Sequence, residues 1–132
     1  MRGIAPQDAA FEENVYNKQL TLKIAEKLGP FNFGPEQADG VVRENRDTFV
    51  LENGAKYTGE WNVATGERDG KGMQIWIDGS RYEGYWKHDK ANGRGRLIHA
   101  DGDVYEGNWV SDKAEGFGIY THMDGARYEG NW

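Results

Sequence analysis

The sequence predicts an all-β repeat protein: an elongated single-layer antiparallel β-meander of hairpin units, preceded by one amphipathic α-helix and an extended connector. Three observations lead to this prediction. An aromatic motif recurs about every 23 residues, Asp-Gly or Asn-Gly pairs recur in step with it, and 13% of the 132 residues are aromatic alongside 19 glycines. Disordered chains lack aromatic residues and globular cores rely on Leu, Ile and Val, so this composition favours rings packed on glycine backbone.

The segment from Asp8 to Leu28 predicts the helix. It has no internal glycine, and its apolar residues recur in steps of four or five, at Phe11, Val15, Leu20, Ile24 and Leu28. Asp8 is the candidate N-cap, and Gly29-Pro30 ends the helix. We expect the helix either to lie over the exposed first strand and protect the sheet edge, or to dock on a partner or a second protomer.

Residues 30–47 predict an extended connector, with Phe31 and Phe33 as anchors. The chain then divides into a helix and connector (1–47) and a repeat array (48–132). Within the array we expect a partial unit (48–56), three full units (57–81, 82–104 and 105–127) and a truncated unit (128–132).

The repeat combines three phased signals. The aromatic motif is "YTGEW" at Tyr57, "YEGYW" at Tyr82, and "YEGNW" at Tyr105 and Tyr128. A Gly-x-Gly begins at positions 70, 93 and 116, and an Asp-Gly at positions 78, 101 and 124, with Asn53-Gly54 in the equivalent place before the first motif. Because Asp-Gly and Asn-Gly favour tight hairpins, we expect them to join one unit to the next, and residues 87–92 and 110–115 to form longer polar loops within the units.

Strand alternation assigns the two faces of each unit. Tyr82, Gly84 and Trp86 share one face, and Glu83 and Tyr85 share the other. The glycine between the two rings leaves a flat recess in which aromatic side chains can lie on bare backbone. The resulting groove is the predicted partner site, and its candidate residues are Tyr57, Trp61, Trp76, Tyr82, Trp86, Tyr105, Trp109, Tyr128 and Trp132.

The order "YEGxW", Gly-x-Gly, Asp-Gly resembles the MORN repeat (membrane occupation and recognition nexus) from Tyr57 to Trp132, with a partial unit from Thr48. The array is most similar to MORN-repeat proteins of ciliated and parasitic protists. The resemblance implies a twisted sheet with a grooved aromatic face. It also implies relatives among radial spoke and cytoskeletal proteins, junction-forming membrane proteins, and the regulatory arms of some phosphatidylinositol phosphate kinases.

We therefore expect a non-catalytic scaffold whose groove accepts an extended or helical segment of a partner protein, in a ciliary or cytoskeletal complex of the cytoplasm. The alternatives are a phosphoinositide or membrane adaptor, and a regulatory arm of a larger enzyme. Since the sequence stops at Trp132 after the opening strand of a unit, we expect a longer natural array, and self-association through the open C-terminal edge of this one.

Other chemistry is weakly supported. There is no cysteine, Gly-x-Gly is not followed by a helix, and neither serine has a nucleophile context, so we expect no catalytic site and no cofactor. His99 and His122 occupy equivalent places without further phased ligands, which argues against a metal site. A net charge of −6 argues against nucleic acid. The candidate contacts for an anionic lipid headgroup are Lys87, Lys90, Arg94 and Arg96. We expect weak or no lipid binding through them.

Overall fold

The computed structural model describes residues 6–36 and 38–132. One helix, α1 (Pro6–Leu28), precedes eight strands. The strands are β1 (Arg43–Val50), β2 (Lys56–Asn62), β3 (Arg68–Ile75), β4 (Arg81–Lys87), β5 (Lys90–Ile98), β6 (Val104–Val110), β7 (Lys113–Thr121) and β8 (Arg127–Asn131). They form one antiparallel sheet in chain order, from β1 at one edge to β8 at the other. The predicted meander with a preceding helix is confirmed, although β1 begins inside the stretch predicted as connector.

The predicted longer loops within the units, at residues 87–92 and 110–115, are wrong. Only His88 and Asp89 separate β4 from β5, with φ of 51° and 63°, and only Ser111 and Asp112 separate β6 from β7, with φ of 45° and 70°. Two consecutive positive φ values are typical of a type I′ turn, whose twist matches that of the flanking strands. Aspartate tolerates this conformation, so the turn forms without a glycine.

The Asp-Gly turns join successive units as predicted, but they are the longer connections. The turn between β3 and β4 spans residues 76–80, where Trp76 N–H donates to the carbonyl of Ser80 and Gly79 N–H donates to that of Trp76. The carboxylate of Asp78 accepts a hydrogen bond from Ser80 N–H (2.9 Å). The aspartate therefore closes a wider turn with its side chain, and the glycine after it supplies the left-handed residue.

Strand alternation places the faces as predicted. Along β4, Tyr82, Gly84 and Trp86 are buried, while Glu83 and Tyr85 are partly exposed on the other side. We call the first side the aromatic face and the second the helix face. The apolar core lies on the aromatic face, because the tyrosines and tryptophans of successive units pack there against one another.

The prediction that α1 covers the first strand is wrong. The helix lies on the helix face, against β5 and two Asp-Gly turns, where Thr21 is fully buried and its hydroxyl donates to the carbonyl of Gly79 (2.6 Å). A Cβ added to Gly102 would lie 3.3 Å from Ile24. By contrast, Glu44 to Val50 of β1 are exposed. The small Thr21 fits over a glycine turn, whereas Phe11 of the predicted apolar stripe is 69% exposed.

The helix also begins earlier than predicted, at Pro6, so the candidate cap Asp8 lies inside its first turn. The side chain of Asp8 is outside the described part of the chain. The helix ends at Leu28, before Gly29, whose φ is 79°, as the Gly-Pro signal predicts. Docking of α1 on a partner stays a prediction.

The connector runs from α1 back across the helix face to β1. Phe31 is buried, with the guanidinium groups of Arg94 and Arg96 5.6 and 5.7 Å from its ring centroid. Phe33 packs edge-to-face on Tyr85 at 5.4 Å and on Phe31 at 4.9 Å. Both predicted anchors therefore hold the connector against the sheet.

Two ion pairs continue this path towards the β1 edge. Glu36 lies 2.9 Å from Lys71, whose hydrogen bond lowers the pKa of the Glu36 carboxyl. The guanidinium of Arg43 lies between Asp39 and Asp69, and its hydrogen bond to Asp39 lowers the pKa of that carboxyl to about 2. The connector thus spans the sheet from β5 to β1.

Candidate binding groove

Nine aromatic rings form a continuous ladder along the aromatic face. The first three motif tyrosines each contact the tryptophan of their own motif and that of the next motif, edge-to-face, with centroids 5.1–5.4 Å apart. Tyr128 of the last motif contacts Trp132 at 5.2 Å, and Phe49 contacts Trp61 at 5.5 Å. The order of rings is Phe49, Trp61, Tyr57, Trp86, Tyr82, Trp109, Tyr105, Trp132 and Tyr128. Because edge-to-face pairs favour one geometry, the ladder makes a rigid floor.

The glycines are needed because tyrosine lies directly on the backbone. A Cβ built on Gly95 would lie 2.3 Å from the hydroxyl oxygen of Tyr82, closer than Cβ atoms approach other heavy atoms in proteins. That hydroxyl donates to the carbonyl of Tyr85 (2.8 Å), and the indole N–H of Trp86 donates to the carbonyl of Gly72 (3.2 Å). The tyrosine hydroxyl is therefore satisfied within its own unit, whereas the indole is satisfied by the glycine backbone of the preceding unit.

The first unit departs from this pattern at Trp61. Its indole N–H is buried and has no hydrogen-bond partner among the residues that the structure describes, whereas Trp109 donates to the carbonyl of Gly95 (3.1 Å). Strand β1 has no Gly-x-Gly and carries a register shift between Arg46 and Phe49. Trp61 therefore lacks the backbone acceptor that the preceding unit provides for Trp86 and Trp109.

The structure divides the predicted groove residues into two groups. Trp76 is partly buried, and Tyr128 and Trp132 are about half exposed, at 53% and 48%. The other six form the packed core, with less than a tenth of each residue exposed, and are Tyr57, Trp61, Tyr82, Trp86, Tyr105 and Trp109. These six candidates are therefore packed side chains, and their rings form the floor of a groove.

A groove of about 800 Å³ lies over this floor, from the β1–β2 turn at Glu52 to the β6–β7 turn at Asp112. Trp76 and Leu97 supply its apolar walls, and its charged lining consists of Glu52, Asp78, Asp89 and Asp112 with Arg68. Sequence reasoning missed Leu97, Asp89 and Asp112. The signal was present, because Asp89 and Asp112 stand 23 positions apart, in phase with the aromatic motif.

The structure places the four basic candidates in different surroundings. Lys87 and Lys90 are exposed and face each other across the β4–β5 hairpin. Arg94 and Arg96 share the helix face, as predicted, but Arg94 pairs with Glu106 at 2.9 Å, and the buried Arg96 donates to the carbonyl of Gly29 (2.7 Å). The two arginines therefore hold the connector and the neighbouring strand.

His99 and His122 lie at equivalent turn positions, as predicted, on either side of Tyr120. His122 Nδ1 is 3.1 Å from Asp103, and the hydroxyl of Tyr120 donates to the same carboxylate (2.8 Å). The Tyr120 hydrogen bond lowers the pKa of Asp103, while burial, with help from Asp103, raises the pKa of Tyr120 to about 12. Over residues 6–36 and 38–132 no three His, Cys, Asp or Glu side chains are placed to hold a metal ion.

We expect stability to fall at alkaline pH. Burial raises the pKa of four tyrosines in the folded chain, Tyr57, Tyr82, Tyr105 and Tyr120. Their contribution is complete below the unfolded pKa of about 10 and is lost as pH rises beyond it, because the unfolded state releases its protons first. Urea unfolding should show a loss of roughly 0.4 kcal/mol for each strongly shifted tyrosine, about 1–1.5 kcal/mol in all, between about pH 8 and about pH 10.

The variant Tyr82→Phe is the control for this effect. Removing one ionisable hydroxyl should reduce the alkaline loss by about a quarter to a third, whatever it does to stability at neutral pH. An alkaline loss of the same size in both proteins would show that other groups cause it.

The fold and the groove define a repeat protein of the binding class: a single sheet with an aromatic, acidic groove on one side. The model of the MORN repeat matches three consecutive stretches, residues 66–81, 82–104 and 105–127. The chain therefore contains three consecutive MORN repeats. A search of curated proteins found no match to the chain. In the part of the chain that the structure describes, the helix is not apolar enough to span a bilayer.

Proposed function

We propose that this chain is a non-catalytic protein-binding scaffold, whose groove on the aromatic face accepts an extended or helical segment of a partner protein. The observation that supports it is the groove itself, which combines a rigid floor of rings with the apolar walls of Trp76 and Leu97. Rigid aromatic surfaces lose little conformational entropy on binding and often dominate the affinity of an interface.

The setting of this function is also a proposal. We propose a cytoplasmic ciliary or cytoskeletal complex, because the MORN-repeat proteins that the array resembles include members of such assemblies. The alternative of a membrane adaptor has less support, since Arg96 is buried and Arg94 is paired with Glu106. Sequencing the native reading frame downstream of the codon for Trp132 tests the alternative of a regulatory arm, because that alternative requires a catalytic domain in the same reading frame.

Selection from a displayed library of random peptides tests the groove. Peptides enriched on the wild-type chain should bind the variant Leu97→Glu at least about tenfold more weakly, because a carboxylate would enter an apolar and already acidic groove. The matched control is Phe117→Glu, which also replaces an apolar side chain with glutamate, at a position 52% exposed on the helix face. Binding to this control should be unchanged.

Trp76→Ala provides a second groove variant should Leu97→Glu fail to fold, and far-UV circular dichroism checks each protein. Peptides that bind all variants equally would overturn the proposal. Strong pelleting with anionic vesicles at physiological salt, lost on charge reversal of Lys87 and Lys90, would favour the membrane adaptor instead.

A further inference from the structure

Arg68 shows how the groove holds a cation. It begins β3 opposite Trp61, and its guanidinium lies 4.7 Å from the ring centroid of Trp86. The same guanidinium donates to the carboxylate of Asp89 (3.1 Å) and to its backbone carbonyl (2.7 Å). An arginine of the chain is thus held between a tryptophan face and a turn aspartate.

The next unit repeats this arrangement without the arginine. Ala91 faces Trp86 as Arg68 faces Trp61, and its N–H donates to the carboxylate of Asp112 at 2.7 Å. In the first unit the N–H of Arg68 donates to Asp89 in the same way, at 2.8 Å. Trp109 and Asp112 therefore correspond to Trp86 and Asp89, but a methyl group replaces the guanidinium-bearing side chain.

The surroundings of Trp109 are open to the groove. Ala91, Leu97, Trp109 and Asp112 all line it, and no cationic side chain of residues 6–36 or 38–132 lies over the Trp109 ring. Leu97 stands where the first unit has Gln74, a further acceptor for Arg68. The second position thus keeps the ring, the carboxylate and the turn carbonyl, and gains an apolar wall.

We propose that the position between Trp109 and Asp112 receives an arginine side chain from the partner segment. This inference rests on the proposed function and specifies the chemistry of the bound segment. Arginine suits the position better than lysine, because a planar guanidinium can stack on the indole while donating to both the carboxylate and the carbonyl of one turn. The groove carboxylates of Glu52, Asp78 and Asp112 form no ion pair with any side chain of the described residues. The groove therefore complements a basic segment.

Titration of the full chain with N-acetyl-arginine amide tests this position directly, with the indole N–H signals followed by NMR. The signal of Trp109 should shift and saturate, while that of Trp86, already covered by Arg68, should change little. N-acetyl-citrulline amide, a neutral isostere, should bind at least about threefold more weakly, and added salt should weaken the arginine response.

Three variants assign the response to the site. Asp112→Asn keeps an acceptor for Ala91 N–H and tolerates the left-handed turn, so it should fold and bind the probe about three- to tenfold more weakly. Ala91→Arg should fill the position from within the chain and abolish the Trp109 response. Arg68→Ala should open the equivalent position and make Trp86 responsive.

A Trp109 shift that is the same with citrulline, or that persists in both Asp112→Asn and Ala91→Arg, would overturn the inference. Its failure is distinct from that of the proposed function. Groove-binding peptides without arginine, together with an unresponsive Trp109, would remove the arginine position and leave the groove as a binding site. A specific arginine response without any groove-dependent peptide would remove the proposed function and leave the cation position.

Discussion

Replacing Trp86 with alanine is expected to lower the free energy of unfolding by about 3–5 kcal/mol, the usual cost of deleting a buried large aromatic side chain. The Trp86 residue is 4% exposed and packs edge-to-face on Tyr57 at 5.3 Å and on Tyr82 at 5.2 Å. Because these tyrosines belong to successive units, the substitution removes the contact that joins the units on the aromatic face. It also leaves the buried carbonyl of Gly72 without its indole donor.

Chemical denaturation measures the loss, with Trp132→Ala as the comparison. Trp132 has the same motif position but is 48% exposed, so its replacement should cost clearly less. Equal losses of unfolding free energy at both positions would contradict the conclusion that Trp86 holds successive units together. A finer comparison is Trp86→Phe with Trp61→Phe, since only the first removes an indole hydrogen bond. The loss in free energy of unfolding should be larger for Trp86→Phe by about 1 kcal/mol.

Replacing Gly107 with valine is expected to lower stability by about 1–3 kcal/mol, the usual range for overpacking a core. A Cβ at Gly107 would lie 2.6 Å from the Cα of Gly118, 2.6 Å from the carbonyl of Phe117 and 2.7 Å from the hydroxyl of Tyr105. Two of these atoms are backbone of the paired strand, so they can give way only by separating β6 from β7. The upper part of the range is therefore expected.

The neighbouring Glu106→Val is the matched control, because valine at position 106 projects from the opposite face. Its cost should stay below about 1 kcal/mol, the worth of the exposed ion pair with Arg94. Glu83, the same position one unit earlier, is a poorer control, since it lies 3.7 Å from the buried Arg96. Equal melting temperatures for the two variants would contradict the face assignment.

The groove was only partly predictable. The phased Tyr and Trp residues identify the correct face, because side chains alternate along a strand and the motif has a fixed position on each strand. How much of each ring is exposed depends on the stacking of whole units, and the sequence does not show it. The turn aspartates Asp89 and Asp112 were predicted to lie in long loops, and their place in the groove follows from the tight two-residue turns.

The sequence by itself determined the repeat period, the order of strands and the face of each ring, because these depend on periodicity and on turn signals within one unit. Only the tertiary structure decided where α1 and the connector lie. Their positions depend on contacts between distant residues, such as Thr21 with Gly79 and Arg96 with Gly29, 58 and 67 positions apart. A helical pattern shows which residues share a stripe, but shape determines which stripe meets the sheet. At the Gly79 turn, close approach favoured the small Thr21, whereas the larger Ile24 lies against the Gly102 turn.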